Sequence, residues 1–360
     1  MNFYILTRWF IVFFSFFSIF FFETFAQQNP LIVQEFIFEQ APFKSCHAST
    51  IAETPDGLVV AFFGGTHEKH QDVEIWLSRK VNDTWSKPFT VADGIFEGQR
   101  YPCWNPVLYQ IPDGDLLLFY KVGPDPSSWW GMKKRSENSG QSWSDPEKLP
   151  DGILGPIKNK PELLSNGDLL CFSSTEHDGW KVHVEITKDF GETWIPKVQV
   201  DPESNYQVIQ PTLLHLKNGW IQMLCRSKDG FIITSLSQDQ GRSWSVLEPT
   251  VLPNPNSGID AVTLSNGKHI LVYNHSRKPV NKWGGPRYPL NLAISEDGDT
   301  WNASIELENK SGEYSYPSII EDKKGLIHIV YTWNRTKIKH VVLDPEDMPE
   351  ASINIWNEDR

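Results

Sequence analysis

The turn that decides the fold reads Ser237-Gln238-Asp239-Gln240-Gly241-Arg242-Ser243-Trp244. We call this pattern the Asp-box turn. Its Asp can accept hydrogen bonds from backbone N–H groups, its Gly allows a positive φ, and its final Trp can pack between two sheets. Further copies, some of them shortened or degenerate, end at Trp85, Trp143, Trp194 and Trp301. We predict that these residues build the scaffold and take no part in catalysis.

The five tryptophans that end these turns are separated by 58, 51, 50 and 57 residues, which is the length of one four-stranded propeller blade. A second repeat consists of two apolar strands joined by a glycine turn. It occurs six times, at Gly57, Gly114, Gly167, Gly219, Gly267 and Gly325. Apolar runs on both sides of each turn indicate buried inner strands. We therefore predict an all-β fold, a six-bladed β-propeller, in which Ile32 to Phe38 supplies the closing strand.

Length and charge limit the classes of protein to which the chain can belong. A propeller closes its blades around one axis, so 360 residues can form one domain. The formal net charge of −12 leaves no surplus of basic residues to neutralise phosphates. We expect no nucleic-acid partner, no cofactor and a monomeric protein, and we expect local arginines to hold any anionic substrate.

The N-terminus has the pattern of a secretory signal. Arg8 precedes a largely apolar run of 13 residues from Phe10 to Phe22, and Ala26 ends a stretch that suits cleavage. The run is shorter than the roughly 20 residues that a membrane-spanning helix needs. We predict a signal peptide over residues 1–26, a single propeller domain over 27–360, and a secreted or periplasmic protein that is not inserted in a membrane after cleavage.

The cysteines and histidines leave two questions, about disulfides and about metals. Cys46 and Cys103 occupy matching places in neighbouring repeats, so they form either a disulfide or two buried thiols. Possible metal ligands cluster near His70 and His177, but neither cluster has the fixed spacing of a zinc site. We predict no metal.

The innermost strands of a propeller begin at the mouth of the central channel, so the residues that start them should converge. In the six aligned repeats these positions are mostly polar: His47, Trp104, Asn105, Lys160, Gln210, Asp260 and Tyr316. Arg226 and Arg287 follow inner strands of the fourth and fifth blades. A guanidinium group matches a carboxylate with two parallel hydrogen bonds, so the channel mouth is predicted to hold an acidic sugar.

On these motifs the chain resembles the sialidase superfamily, and more closely its bacterial and plant branch of Asp-box (BNR) repeat proteins. The resemblance covers about Phe36 to Pro345. It implies that Arg226 and Arg287 bind a carboxylate and that Tyr316, in Tyr316-Pro317-Ser318-Ile319, corresponds to the nucleophile of that family.

The chain departs from the superfamily at two positions. His47 stands where the family has an arginine, and Gln210 stands where it has the glutamate that activates the tyrosine. The family's acid/base residue falls in a loop of blade one, where the candidates are Glu68, His70 and Asp72. Since an amide cannot accept the tyrosine's proton, these departures weaken the case for ordinary sialidase chemistry.

The altered residues suit β-elimination on a uronic acid. Arginines neutralise the carboxylate, a His or Tyr removes the C5 proton, and a second group protonates the departing C4 oxygen. Such an enzyme is a polysaccharide lyase if C4 carries a sugar, and an oligosaccharide dehydratase if C4 carries a hydroxyl group. The predicted catalytic residues are His47 and Tyr316, and the predicted substrate-binding residues are Arg226, Arg287, Gln210, Asn105, Trp104, Lys160 and Asp260.

Two other functions stay open at this point. One is an exo-glycosidase of the sialidase type that releases a terminal sialic or related acid. The other is a carbohydrate-binding propeller without catalysis. In all three cases the expected partner is an acidic oligo- or polysaccharide.

Overall fold

The computed structural model describes residues 30–356, so the predicted signal peptide lies outside the described residues. Within these residues, six antiparallel sheets of four or five strands form the six blades of the predicted β-propeller. Strand β1 (Leu31–Phe36) belongs to the last blade. Blade one contains β2 (Ser45–Thr54), β3 (Gly57–Gly65), β4 (Glu74–Val81), β5 (Thr84–Trp85) and β6 (Phe89–Ala92).

The next two blades follow in chain order. A small hairpin, β7 (Ile95–Phe96) and β8 (Gln99–Arg100), precedes blade two. Blade two contains β9 (Cys103–Gln110), β10 (Leu116–Val122), β11 (Trp130–Ser136) and β12 (Glu147–Lys148). Blade three contains β13 (Glu162–Leu163), β14 (Leu169–Thr175), β15 (Lys181–Thr187) and β16 (Ile195–Gln199).

The last three blades complete the ring. Blade four contains β17 (Val208–His215), β18 (Ile221–Ser227), β19 (Phe231–Ser237) and β20 (Glu248–Pro253). Blade five contains β21 (Asp260–Thr263), β22 (His269–Tyr273), β23 (Leu290–Ser295), β24 (Trp301–Glu308) and, after two further elements of the chain, β28 (Ala351–Ser352). Blade six contains β25 (Tyr314–Glu321), β26 (Ile327–Trp333), β27 (Lys337–Leu343) and β1. Short 3₁₀ helices span Pro345–Asp347 and Ile353–Trp356.

The first strand closes the ring by pairing antiparallel with the last blade, from Leu31 opposite Leu343 to Phe36 opposite Lys339. The predicted closing strand is therefore present, two residues shorter at its C-terminal end. The six-bladed propeller predicted from the repeats is confirmed.

The Asp-box turns join the third and fourth strands of blades two to five. In blade four, Asp239 accepts hydrogen bonds from the Ser243 backbone N (2.8 Å) and from the Ser237 hydroxyl (2.9 Å), and Gly241 has φ +79°. These contacts close the turn as the sequence pattern predicts. All four cysteines are buried free thiols, so Cys46 and Cys103 form no disulfide.

Bulges at the channel end of the inner strands position the site. In blades one, two, four and six the pairing of the innermost strand shifts register. At each shift one residue has a positive φ: Ala48 (56°), Asn105 (37°), Gln210 (56°) and Tyr316 (52°). Non-glycine residues rarely adopt this conformation, and they keep it only where the surrounding structure enforces it. Four blades thus present a kinked backbone to the axis at one level.

Blades three and five reach the axis in another way. The chain approaches the inner strand β13 through Lys158 (φ 68°) and the inner strand β21 through Asn256 (φ 65°). The sequence repeats had placed Lys160 and Asp260 at this level. In the structure, Lys158 and Asn256 lie at the mouth in place of Lys160 and Asp260, because the inner strands of blades three and five start later in their repeats.

Candidate functional site

The hydrogen bonds around Tyr316 define the centre of the site. Its phenolic oxygen accepts hydrogen bonds from Arg226 Nη1 (2.9 Å) and from Gln210 Nε2 (3.1 Å). Arg226 Nη1 also donates to Gln210 Oε1 (3.2 Å). Because a guanidinium group only donates, the amide oxygen of Gln210 must face Arg226 and its NH₂ must face Tyr316. Both acceptor sites of the phenolic oxygen are therefore occupied, and its own proton is left to donate.

His47 lies against Tyr316 on the axis. The two ring centroids are 4.2 Å apart, and the His47 side chain is buried. Its Nδ1 lies 3.0 Å from the hydroxyl oxygen of Thr332, on the second strand of blade six. Burial, and then the positive charges of Arg335, Arg287 and Arg226, lower the pKa of His47 well below its usual value of 6.5. The imidazole is therefore neutral at neutral pH, which is the form that a general base needs.

Three arginines gather around this pair. Arg226 is buried, and its Nε donates to Asn256 Oδ1 (2.8 Å). Arg287 Nη1 and Arg335 Nε both donate to Glu313 Oε1, at 3.0 Å and 2.8 Å. The guanidinium carbons of Arg226 and Arg287 lie 5.8 Å and 6.0 Å from the centroid of the Tyr316 ring. The site therefore combines fixed positive charge with one neutral base and one phenol.

Arg335 belongs to this cluster but was not among the residues predicted from the sequence. It lies in the β26–β27 turn with φ 55°, and its carbonyl accepts the N–H of Cys46, next to His47. The guanidinium group of Arg335, on blade six, thus lowers the pKa of His47, on blade one. The sequence did contain a signal for Arg335. This residue comes just after the second strand of blade six, and Arg226 lies at the end of the second strand of blade four. The sequence offered no comparable signal for Glu313 or Thr332.

Lys158 lies on the axis beside the strand of Tyr316. Its Nζ donates to Asn159 Oδ1 (2.7 Å), to the Ile259 carbonyl (2.6 Å) and to the Pro317 carbonyl. Burial lowers its pKa to about 7, but three acceptors match the three protons of an ammonium group and hold it charged. This buried cation links three blades and contributes to the low proton affinity of His47.

Lys160 and Asp260 do not join this cluster, which corrects the sequence-based assignment. They pair with each other (3.3 Å) inside the channel. Asp260 is fully buried and accepts hydrogen bonds from the Thr212 hydroxyl (2.7 Å) and the Ile319 N–H (2.9 Å). Lys160 lines a cavity near the far ends of the inner strands, together with Glu53, Tyr109, Glu162, His215 and Glu321. Both residues therefore hold blades together.

Trp104 and Asn105 occupy the bulge of blade two. Trp104 is buried, donates from Nε1 to the Gly123 carbonyl (2.8 Å), and packs edge to face on Trp129. These contacts make Trp104 part of the scaffold, which corrects its predicted role as a substrate-binding residue. Asn105 is buried at the level of Gln210 and Tyr316, and its contact with substrate stays a prediction.

The three acid/base candidates of blade one separate into two groups. Glu68 forms an ion pair with Arg335 and so reaches the arginine cluster. His70 pairs with Asp72 (2.7 Å). Burial alone would raise the pKa of Asp72, but hydrogen bonds from Thr66 and the contact with His70 lower it to about 2. Only Glu68 of the three contacts the arginines.

Comparison with known proteins assigns the family. Over residues 56–329 the sequence matches the family described as BNR repeat-like domain. The chain belongs to this family. No curated protein sequence matches this BNR repeat-like chain.

Solved structures share the propeller at low sequence identity. A protein of unknown function from Dyadobacter fermentans is 17% identical, with a TM-score of 0.71 over 87% of this chain and 98% of that one. The NanB sialidase K499G mutant from Streptococcus pneumoniae is 14% identical (TM-score 0.67; 89% and 71% of the two chains). The intramolecular trans-sialidase from Ruminococcus gnavus is 12% identical (TM-score 0.69; 89% and 99%). At these identities the similarity shows the fold alone, a sialidase-like propeller.

Residues 30–356 contain no helix that is long and apolar enough to cross a membrane. The same residues contain no group of three or more His, Cys, Asp or Glu side chains that could hold a metal ion.

Proposed function

We propose that this BNR repeat-like propeller is a carbohydrate-active enzyme that acts on a uronic acid by β-elimination. The observation that carries the proposal is the hydrogen bonding of the Tyr316 hydroxyl. With Gln210 Nε2 and Arg226 Nη1 both donating to its oxygen, Tyr316 is poised as a proton donor. The neutral ring of His47 beside it is the matching proton acceptor.

The reaction uses these groups as an acid and a base. The arginines bind the C6 carboxylate and stabilise the negative charge that develops when the C5 proton leaves. This role requires the tautomer in which His47 Nδ1–H donates to the Thr332 hydroxyl oxygen, which leaves Nε2 to take the C5 proton. The C4–O bond then breaks as the C4=C5 double bond forms, and Tyr316 gives its proton to the departing oxygen. Arg226 and Gln210 hold the resulting phenolate until the imidazolium proton returns to it through solvent.

Gln210 is the residue that favours elimination over hydrolysis. A glutamate at this place would accept the phenolic proton and make Tyr316 a nucleophile. The amide donates instead, so the proton stays on Tyr316 and points away from both donors. The leaving oxygen of the substrate can then accept it.

Hydrolysis of the sialidase type is the second candidate, and one contact favours it. Arg226 Nη1 lies 2.9 Å from the phenolic oxygen, where it would also stabilise a phenolate nucleophile. The NanB sialidase from Streptococcus pneumoniae, which shares this fold, is the reason to test a sialoside substrate as well.

A screen of acidic oligosaccharides with mass detection separates the candidates. Elimination yields an unsaturated uronate with new ultraviolet absorbance, whereas hydrolysis adds the mass of water to the products. We expect His47→Ala and Tyr316→Phe each to lower kcat by roughly 10²- to 10⁴-fold. Hydrolysis of a sialoside without any unsaturated product from uronates would overturn the proposal, and binding without turnover would indicate a carbohydrate-binding protein.

Gln210→Glu is the sharpest variant. We expect it to suppress elimination by at least about tenfold, because the new carboxylate accepts the proton that Tyr316 must donate. Gln40→Glu adds the same charge at an exposed position and should leave the rate unchanged. Elimination that is equally fast in Gln210→Glu would contradict the role of Tyr316 as the acid.

A further inference from the structure

An aromatic pair lies next to the arginine cluster. Trp283 is 64% exposed, whereas Trp180 is buried. Their ring centroids are 5.2 Å apart and the planes are nearly perpendicular. Lys228 Nζ lies 4.2 Å from the Trp180 centroid and 5.0 Å from that of Trp283. Among the tryptophans between residues 30 and 354, Trp283 is the one with a largely exposed side chain.

Three blades build this feature. Trp180 precedes β15 of blade three, Lys228 follows β18 of blade four, and Trp283 lies in the long connection between β22 and β23 of blade five. The backbone N–H of Trp180 donates to Gln207 Oε1 (2.9 Å), and Lys278 Nζ donates to the backbone carbonyl of Lys228. The pair is therefore held by several elements of the fold.

Asn256 connects the aromatic pair directly to the proposed site. Its Oδ1 accepts from Arg226 Nε (2.8 Å), and its Nδ2 donates to the Trp283 carbonyl (2.7 Å). The guanidinium carbon of Arg226 also lies 5.2 Å from the Trp180 centroid. A ligand whose carboxylate binds Arg226 therefore has the indoles within one sugar length.

A carboxyl group, Glu176, lies beside the indoles together with two cations. Glu176 interacts electrostatically with both Arg226 and Lys228, and its side chain hydrogen-bonds to Trp180. Burial raises the pKa of Glu176, and the nearby Arg226 and Lys228 lower it. One ammonium and one carboxyl group beside an aromatic face suit a neutral, hydroxylated ligand better than a second anion.

We propose that Trp283, Trp180, Lys228 and Glu176 form a second sugar subsite for a neutral pyranose linked to the acidic sugar. The inference rests on the proposed function, since it places the acidic sugar at the arginines. The C–H face of the pyranose packs on Trp283, and Lys228 and Glu176 bind its hydroxyl groups. The preferred ligand is then at least a disaccharide.

Two probes of different length test the subsite. The first is a panel of disaccharides in which glucuronic acid is linked to a neutral pyranose, and the second is methyl glucuronoside. Calorimetry measures the affinity for both probes. We expect Trp283→Ala to weaken the binding of the best disaccharide about tenfold or more. The same variant should bind the methyl glycoside as tightly as the wild type does. Trp283→Phe should retain most of the affinity. Val280→Ala, 86% exposed in the same connection, is the matched control and should change neither.

The outcomes separate this inference from the proposed reaction. Equal loss for both probes would mean that Trp283 acts only through Asn256 and Arg226, and it would overturn the subsite. An unchanged affinity in Trp283→Ala, or no binding of any disaccharide in the panel, would overturn it too. If disaccharide binding depends on Trp283 but no unsaturated product forms, the subsite is supported. Only the proposed elimination reaction is then contradicted.

Discussion

The closure of the ring gives a stability prediction that can be worked from the structure. Glu35 lies on the closing strand β1, and its Oε1 accepts hydrogen bonds from Lys80 Nζ (2.7 Å), Trp85 Nε1 (2.8 Å) and His340 Nδ1 (2.9 Å). Lys80 and Trp85 belong to blade one and His340 to blade six. One carboxylate oxygen thus joins the first and last blades.

The pKa of Glu35 sets the size of the effect. The hydrogen bond from His340, then those from Lys80 and Trp85, outweigh burial and lower this pKa from 4.5 to about 2. A difference of about 2.5 corresponds to about 3.4 kcal/mol at 1.36 kcal/mol per pKa unit. The side chain is 31% exposed, so solvent screening reduces the figure to about 2 kcal/mol. We expect Glu35→Gln to lose about this much free energy of unfolding at neutral pH.

The sign of the pH dependence follows from the lowered pKa. The stabilisation is fully present above the unfolded-state value of about 4.5 and disappears as the pH falls towards about 2. The difference between wild type and Glu35→Gln should shrink over this window.

Urea denaturation followed by tryptophan fluorescence, at neutral pH and at a series of pH values below about 4.5, measures the difference. Glu39→Gln is the control, because Glu39 pairs with Lys337 but is 76% exposed and should change stability by less than about 0.5 kcal/mol. Equal losses in the two variants, or a difference for Glu35→Gln that persists in acid, would refute the reasoning.

Two further predictions concern the axis. Lys158→Met should lower the free energy of unfolding by about 3–5 kcal/mol, because three buried acceptors lose their donor. An unchanged urea denaturation curve would contradict the role of Lys158 as a charged link between blades. His47 must be neutral to accept a proton, and its pKa is lowered well below 6.5. We therefore expect kcat/KM for elimination to stay level from pH 7 to below 6.5 and to fall only in stronger acid. A midpoint at or above 6.5 in the pH–rate profile would contradict this role of His47.

Part of the site was predictable because it follows the repeats. His47, Gln210 and Tyr316 start inner strands, and the bulges that carry them recur at the same place in four of the six repeats. Lys160 and Asp260 were misplaced for the same reason. The inner strands of blades three and five begin without that bulge, so the aligned position falls further down the channel.

Other parts depend on contacts between residues that are distant in the chain. Thr332 meets His47 across 285 positions, and Arg335 reaches the same histidine from the neighbouring blade. No local pattern encodes which blades become neighbours at the closure, so such pairs emerge only when the ring is complete.

The sequence by itself determined the propeller, its six blades and the residue types at its mouth, because turn chemistry and strand periodicity are local properties. Only the tertiary structure decided how those residues share their protons. The amide of Gln210 is oriented by Arg226, and the neutral state of His47 is set by burial and by arginines from three other blades. Hydrogen-bond direction and electrostatic potential depend on the arrangement in space, which several blades determine together.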